Sequence, residues 1–237
     1  MNKMATLTGL SFLIIMAVSV VAQPDMKIDG ETFDFGFVPQ QAKVAHVFWL
    51  KSIGDTTLYI KTVKPSCGCT KAPLEKELVE PGDSSRLEIT FSTRKYSGNV
   101  NKAIKMTTNV NDSVQNIYVK ANVFTDPVEL TPLSIEPYSI EITEETVGPN
   151  DEISFSIINN SQSDVRLKPI EWAGHLYDID IPEVIKAGET RQGKVILFAE
   201  SYTKSFTKSI TIELDDKDKT RYTLPVSKQT FFQKKTQ

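Results

Sequence analysis

A chain of 237 residues that is 40% hydrophobic and 24% charged is long enough for one large or two ordinary domains. That balance excludes a disordered chain and a multispanning membrane protein. A formal net charge of −3, with the signs mixed, gives no footing for nucleic acid or an anionic membrane surface as partner.

The first 22 residues stand apart. Asn2-Lys3 is a short basic start, residues 7–21 are largely apolar, and Val20-Val21-Ala22 precedes a predicted cut between Ala22 and Gln23. The pattern is that of a cleavable signal peptide, with an uncleaved anchor as the rival reading. No cysteine follows the apolar run, so a lipoprotein-type anchor has no acceptor. No later stretch approaches the ~18 apolar residues needed to span a bilayer, so no transmembrane segment is expected in the mature chain. Losing Lys3 with the leader moves the net charge from −3 to −4.

Beyond the leader, short runs rich in β-branched and aromatic residues recur between Gly, Pro, Asn and Asp. Residues 32–38, 44–51, 57–63, 86–93, 103–108 and 116–123 are predicted strands. No amphipathic stretch at helical spacing exceeds about two turns. The fold class is therefore all-β, and many short, evenly spaced strands point to a sandwich. The turn Ile53-Gly54-Asp55-Thr56 is expected to close a hairpin between the second and third strands.

The second half repeats the first. An offset of 107 residues sets Phe48 over Phe155, Leu50 over Ile157, Leu58 over Val165, Ile60 over Leu167 and Val63 over Ile170. Pro81-Gly82-Asp83 then meets Ala187-Gly188-Glu189, Phe91 meets Phe198, and Ile104 and Met106 meet Ile210 and Ile212, with a one-residue slip between blocks. Two tandem sandwiches follow, residues 23–125 and 126–237, behind the leader 1–22. Their joint lies near residues 124–138, where Pro127, Pro132 and Pro137 interrupt any strand and stiffen the connection. Shared parity turns Phe48 and Leu50 inward and Trp49 outward, opposite Ser156. Trp49 is then either a binding aromatic or a ring covered by a loop or by the other domain.

Cys67 and Cys69 are the only cysteines. In an exported chain a pair suggests a disulfide, and a turn at Gly68 can bring the two together. As a staple it is poor: closing about three residues is worth only roughly 1.5 kcal/mol. A tight, exposed bridge of this kind is expected to be strained and easy to reduce. The second repeat carries Ala173-Gly174-His175-Leu176 in the same region and folds without cysteine. If the predicted hairpin forms, the start of its first strand brings His46 beside residues 64–69. The strand 103–108, pairing with 57–63, brings the basic loop from Arg94-Lys95 to Lys102 to the same pole. Cations favour thiolate, and two thiolates with one imidazole suit Cu(I) or Zn. His46 also shares parity with core positions and reads equally as a strand histidine. An unreactive bridged turn, a thiol-redox pair, a metal site of Cys67, Cys69 and His46, and a point of attachment all stay open.

No Ser-His-Asp order, nucleotide loop or histidine-rich motif occurs, and no catalytic residue is assigned. Asp215-Asp216-Lys217-Asp218 reads as a solvated hairpin turn rather than a cation loop. Asn111-Asp112-Ser113 and Asn159-Asn160-Ser161 match a glycosylation pattern that carries little weight by itself.

Phe33-Asp-Phe-Gly-Phe-Val38, the Ser52-to-Ile60 turn, Pro65-Ser-Cys-Gly-Cys-Thr70 and Val79-Glu-Pro-Gly-Asp83 before Phe91 occur in an order that resembles the bacterial domain of unknown function 1573. That family is common in exported proteins of Bacteroidetes and is similar to the immunoglobulin-like domains of the Hydin and major-sperm-protein group. The resemblance covers about residues 30–123, and the second repeat lacks its cysteine motif. It implies an immunoglobulin-like sandwich, which the repeat makes two in tandem, and a cell-envelope setting, periplasmic or extracellular, and it implies no activity. The first functional expectation is a non-enzymatic cell-envelope binding or scaffold module with a protein partner, using loops or strand edges. The alternative is a thiol-redox or soft-metal protein acting through Cys67 and Cys69.

Overall fold

The computed structural model describes residues 22–110, 114–126, 130–143, 148 and 150–230. The predicted leader ahead of Ala22, Pro127, Asn111 and its glycosylation pattern lie outside the described residues.

Period-2 alternation builds the first repeat. It comprises β1 (Met26–Ile28), β2 (Thr32–Pro39), β3 (Lys43–Ser52), β4 (Leu58–Pro65), β5 (Thr70–Lys71), β6 (Leu78–Val79), β7 (Ser84–Ser92), β8 (Gly98–Thr108) and β9 (Val114–Phe124). All six predicted strands are present. One sheet runs β1-β3-β7-β5, and the facing sheet runs β2-β9-β8-β4-β6. Between them Phe35, Phe48, Leu50, Ile60, Leu87, Phe91, Ile104 and Ile117 are buried, so the inward parity of Phe48 and Leu50 holds.

The expected β3–β4 hairpin does not form. β3 pairs with β1 and β7, whereas β4 pairs with β6 and β8. The intervening turn is tied to the start of the described chain instead. Ile53 N–H donates to the Asp25 carbonyl (3.1 Å) and Asp55 N–H to that of Gln23 (3.0 Å). The chain therefore crosses between sheets at Gly54, where a Cβ would run into the backbone of Gln23 to Asp25.

The second repeat reproduces the first strand for strand: β10 (Leu133–Glu136), β11 (Ile140–Ile142), β12 (Glu152–Asn159), β13 (Val165–Glu171), β14 (Tyr177–Asp180), β15 (Val184–Ile185), β16 (Thr190–Leu197), β17 (Phe206–Leu214) and β18 (Arg221–Lys228). Its sheets run β10-β12-β16-β14 and β11-β18-β17-β13-β15. A separate core gathers Phe155, Ile157, Leu167, Tyr177, Ile210 and Ile212. The matched turns hold, since Gly82 and Gly188 share the left-handed conformation (φ +83° and +70°). One pair shifts by a residue: Phe91 lies opposite Thr70, and its counterpart opposite Tyr177 is Leu197, not Phe198. A strand also forms in the joint, because β10 fits between Pro132 and Pro137. Burial pushes the Tyr222 phenol up to about 12, and its oxygen accepts the Leu133 N–H (3.2 Å). Asn159 is no glycan acceptor site: its buried amide donates to the carbonyls of Ser163, Ile185 and Lys186.

Lys228 closes β18 only 1% exposed, its ammonium 4.9 Å from the Tyr202 ring centroid and without a hydrogen-bond partner among the described residues. A buried cation held by one aromatic face costs more than it returns. Lys228→Met is expected to stabilise the protein by about 1 kcal/mol, read as a higher urea midpoint at unchanged slope.

The two sandwiches share one continuous sheet. β2 bulges between Asp34 and Phe37, and there β18 joins it with Tyr222 paired to Phe37. Gly36 sits in the bulge at φ +64°, directly against the Arg221 carbonyl. Thr223 Oγ1 donates to the Phe35 carbonyl (2.6 Å), and Arg221 Nη1 to that of Asp34 (3.2 Å). Close by, β1 pairs with β3 only from Leu50 to Ser52, which leaves the first half of β3 as an open edge. Side chains of the second sandwich seal it. Ser209 Oγ donates to the Ala45 carbonyl (2.8 Å) and accepts the Ala45 N–H (3.1 Å), while Glu171 Oε1 accepts the Val47 N–H (3.3 Å).

Candidate functional site

Cys67 and Cys69 are brought together in a disulfide with Cα atoms 5.3 Å apart. The bridge caps the β4–β5 turn. Ser66 N–H donates to the Ala103 carbonyl (2.9 Å), Thr70 N–H to that of Cys67 (3.3 Å), and Ser92 N–H to that of Cys69 (2.9 Å). Both sulfurs lie 3.7 Å from the buried Thr70 hydroxyl, and Cys69 packs partly on the core. β4 pairs with β8 from Ile60 to Pro65, so the start of β8 and the Arg94-Lys95 loop do reach this pole, as expected. Tyr96 anchors the loop: its carbonyl accepts from Gln40 Nε2 (2.8 Å), and Lys102 Nζ stands 4.1 Å from its ring centroid.

The same turn in the second repeat shows that the bridge is not needed for the fold. Phe198 N–H donates to the Leu176 carbonyl (3.1 Å), as Ser92 does to Cys69, so Leu176 stands where Cys69 does. Cys67→Ala with Cys69→Ala is expected to cost at most about 1.5 kcal/mol, the loop-entropy worth of so short a ring. Far-ultraviolet circular dichroism should be unchanged, with only a small drop in the melting temperature.

His46 is not at this pole. It pairs with Ile89 on one side of β7, whereas Cys69 backs Ser92 on the other, and the failed β3–β4 hairpin is the reason. Its ring stacks on Phe33 (centroids 3.7 Å) and meets Phe48 edge-on (4.4 Å), while Nδ1–H donates to Glu171 Oε2 (2.5 Å) across the seam. The trio of Cys67, Cys69 and His46 therefore has no common site for Cu(I) or Zn, and the bridged sulfurs offer no thiolate. Among the described residues no group of three or more His, Cys, Asp or Glu is placed to hold a metal ion.

A groove of about 490 Å³ lies along the seam. Its floor is the outer face of β3 and β7, with Val47, Trp49, Arg86 and Glu88; its wall is the Trp172-to-His175 turn with Lys208. Trp49 does point outward and stays 48% exposed beside the second sandwich. Glu88 pairs with both Arg86 (2.8 Å) and Lys208. Partial burial of His175, and then the charges of Lys208 and Arg86, hold its imidazole below the usual histidine range.

The sequence reading missed Glu171, Ser209, Arg221 and Thr223 as seam residues. Gly36 inside a strand was the one available signal, since a strand glycine marks a bulge or a close approach. The Asp215-to-Asp218 turn is a solvated hairpin end, as read: Asp216 accepts the Thr220 N–H (2.9 Å) and Lys219 pairs with Asp215 (2.8 Å).

Fold, repeat and seam define a tandem immunoglobulin-like β-sandwich protein. Residues 26–123, which span the first sandwich, match the family model described as Protein of unknown function (DUF1573). No curated protein matches the chain. Among solved structures it is similar to a protein of unknown function from Porphyromonas gingivalis W83, at 12% identity and a TM-score of 0.34, over 86% of this chain and 99% of the other. It is also similar to the ASH / PapD-like domain 7 of human CEP192, at 10% identity and a TM-score of 0.36, over 49% of this chain and 99% of that one. A third likeness is to WR4, a C. elegans MSP family member, at 17% identity and a TM-score of 0.28, over 42% and 97% of the two chains. Likenesses at this distance say nothing of function. No helix among the described residues is long and apolar enough to cross a membrane.

Proposed function

We propose that this protein is an exported, non-enzymatic module of the cell envelope that binds a protein partner through the pole carrying Cys67-Gly68-Cys69. The observation that carries the reading is internal to the chain. In the second sandwich the equivalent pole, with Glu171, the Trp172-to-His175 turn, Lys208 and Ser209, is the surface that docks onto the first. The first sandwich presents the same pole with Lys64, the bridged turn and Lys102 at those positions. Short edges point the same way: β1, β5, β6 and β15 have only two or three residues each, too little template for an added strand. The leader pattern ahead of Gln23 supports export to the periplasm or beyond.

The test uses the full chain with a photo-cross-linking residue at Lys102, expressed in its own cells. The expected result is a mature product beginning near Gln23 in the envelope fraction and one discrete adduct, lost on Arg94→Glu with Lys95→Glu. An uncleaved cytoplasmic product, or no adduct together with disulfide turnover by the purified protein, overturns the reading. The second reading, thiol-disulfide exchange, rests on the bridge standing partly exposed beside this basic loop. It fails if alkylation mass shifts show the bridge unchanged across growth conditions and the double Cys→Ser variant keeps its phenotype.

A further inference from the structure

We infer that the seam groove is a binding site for an acidic glycan, with sugar rings lying on Trp49 and Trp172 and a carboxylate seated among Arg86, Lys208 and His175. The proposal goes beyond the scaffold reading and does not depend on it, since the disulfide pole and this groove lie on different surfaces of the first sandwich.

Three observations converge. The chain has two tryptophans, and both stand half-exposed in this one groove, 48% for Trp49 and 39% for Trp172. They come from different repeats, Trp49 from β3 and Trp172 from the turn after β13, so only the assembled seam brings them together. Large aromatic surface left open in a concave site marks a ligand with an apolar face of its own. Gly174 leaves room beside the Trp172 ring: a Cβ there would stand 3.4 Å from the indole nitrogen.

Charge supplies the second half of the ligand. Arg86 and Lys208 share the single carboxylate of Glu88, so donors remain on both cations. Glu171, the other carboxylate at the groove, is spent on His46 and the Val47 N–H. His175 lines the same wall, its imidazole held low first by partial burial and then by the charges of Lys208 and Arg86. An aromatic platform ending in two cations that share one carboxylate fits a pyranose that carries a carboxylate. The apolar C–H face of such a ring covers an indole, its hydroxyls take the remaining polar groups, and its carboxylate completes the charge that Glu88 only half balances. A volume of about 490 Å³ suits one or two rings.

Because the two tryptophans are the only ones in the chain, intrinsic fluorescence reports on the groove alone. The full-length mature protein is titrated with tetragalacturonate, a hyaluronan tetrasaccharide and the N-acetylglucosamine–N-acetylmuramate disaccharide, with cellotetraose as the neutral control. A saturable change with at least one acidic glycan and none with cellotetraose is expected. Trp49→Ala and Trp172→Ala should each weaken binding by about tenfold or more, with the remaining tryptophan still reporting. Lys208→Gln should weaken it and flatten its salt dependence. Melting curves of each variant separate lost binding from lost fold. No saturable change with any of the three acidic glycans, or binding unaffected by Lys208→Gln or by both Trp substitutions, overturns the proposal. Either outcome leaves the cross-linking result at Lys102 untouched, so the two readings fail separately.

Discussion

Gly36→Val is expected to part the two sandwiches. At Gly36 the backbone is left-handed, φ +64°, and a side chain would be driven into the carbonyl, the carbonyl carbon and the Cβ of Arg221. Two costs add. A β-branched residue is strained in this region of backbone space by about 1–3 kcal/mol. The clash is with backbone and so cannot be relieved by a rotamer change. Together the loss is on the order of 4 kcal/mol, and it falls on the one place where β18 meets β2. The fully buried residues of each core come from its own repeat, with Phe37 and Phe124 of the first packing partly against the second, so both sandwiches should still fold. Calorimetry is expected to show one cooperative transition in the parent and two in the variant, and small-angle scattering a larger radius. Arg221→Ala should not rescue the variant, because the obstructing carbonyl remains. Recovery by Arg221→Ala would show that the side chain, not the backbone approach, sets the requirement.

Glu171→Ala should weaken the same seam by a different route, at a cost of about 3 kcal/mol. Its carboxylate serves His46 through one oxygen and the Val47 N–H through the other, and both partners are largely withdrawn from water (side chains 13% exposed for His46, 22% for Glu171). Truncation orphans a ring nitrogen and an edge N–H together. Glu171→Gln is the informative companion: its carbonyl oxygen can still accept the Val47 N–H, while its amide nitrogen only donates and cannot take the His46 N–H. If Gln restores most of the stability, the bond to the strand edge dominates; if it behaves like Ala, the bond to His46 does. A full rescue of Glu171→Ala by His46→Ala in a double-mutant cycle would mean that Val47 contributes nothing.

The individual sandwich was legible in the sequence because its information is local. Alternation at Phe48, Leu50, Phe155 and Ile157 gave the inward face, and all four are buried. Turn chemistry at Gly82 and Gly188 gave the register of the repeat. What failed was pairing between neighbours in sequence. Residues 53–56 look like a hairpin turn, yet Ile53 and Asp55 bond to Asp25 and Gln23, partners that no local pattern reveals. That error carried His46 to the wrong pole and assembled a metal site that does not exist. The seam was hidden for a related reason. Ser209, Glu171 and Thr223 are ordinary strand residues until the other sandwich is in place, and their partners lie 164, 124 and 188 positions away. For the cysteine pair the two-residue spacing was compatible with a bridge, a thiol-redox pair or a metal site alike, and the structure holds it bridged.

These separations also order events in time. The strand that joins the sheets, Arg221–Lys228, is the last in sequence among the described residues, and its partner β2 is among the first. Contacts that must close loops of this length form late. Until then the first sandwich carries a bare β3 edge, and neither tryptophan has its counterpart wall. The emergence of a composite tryptophan signal therefore marks the joining of the two sandwiches rather than the folding of either. In a refolding experiment that signal should lag the appearance of β-structure, and the lag measures how long the edge of β3 stays open to the wrong strand.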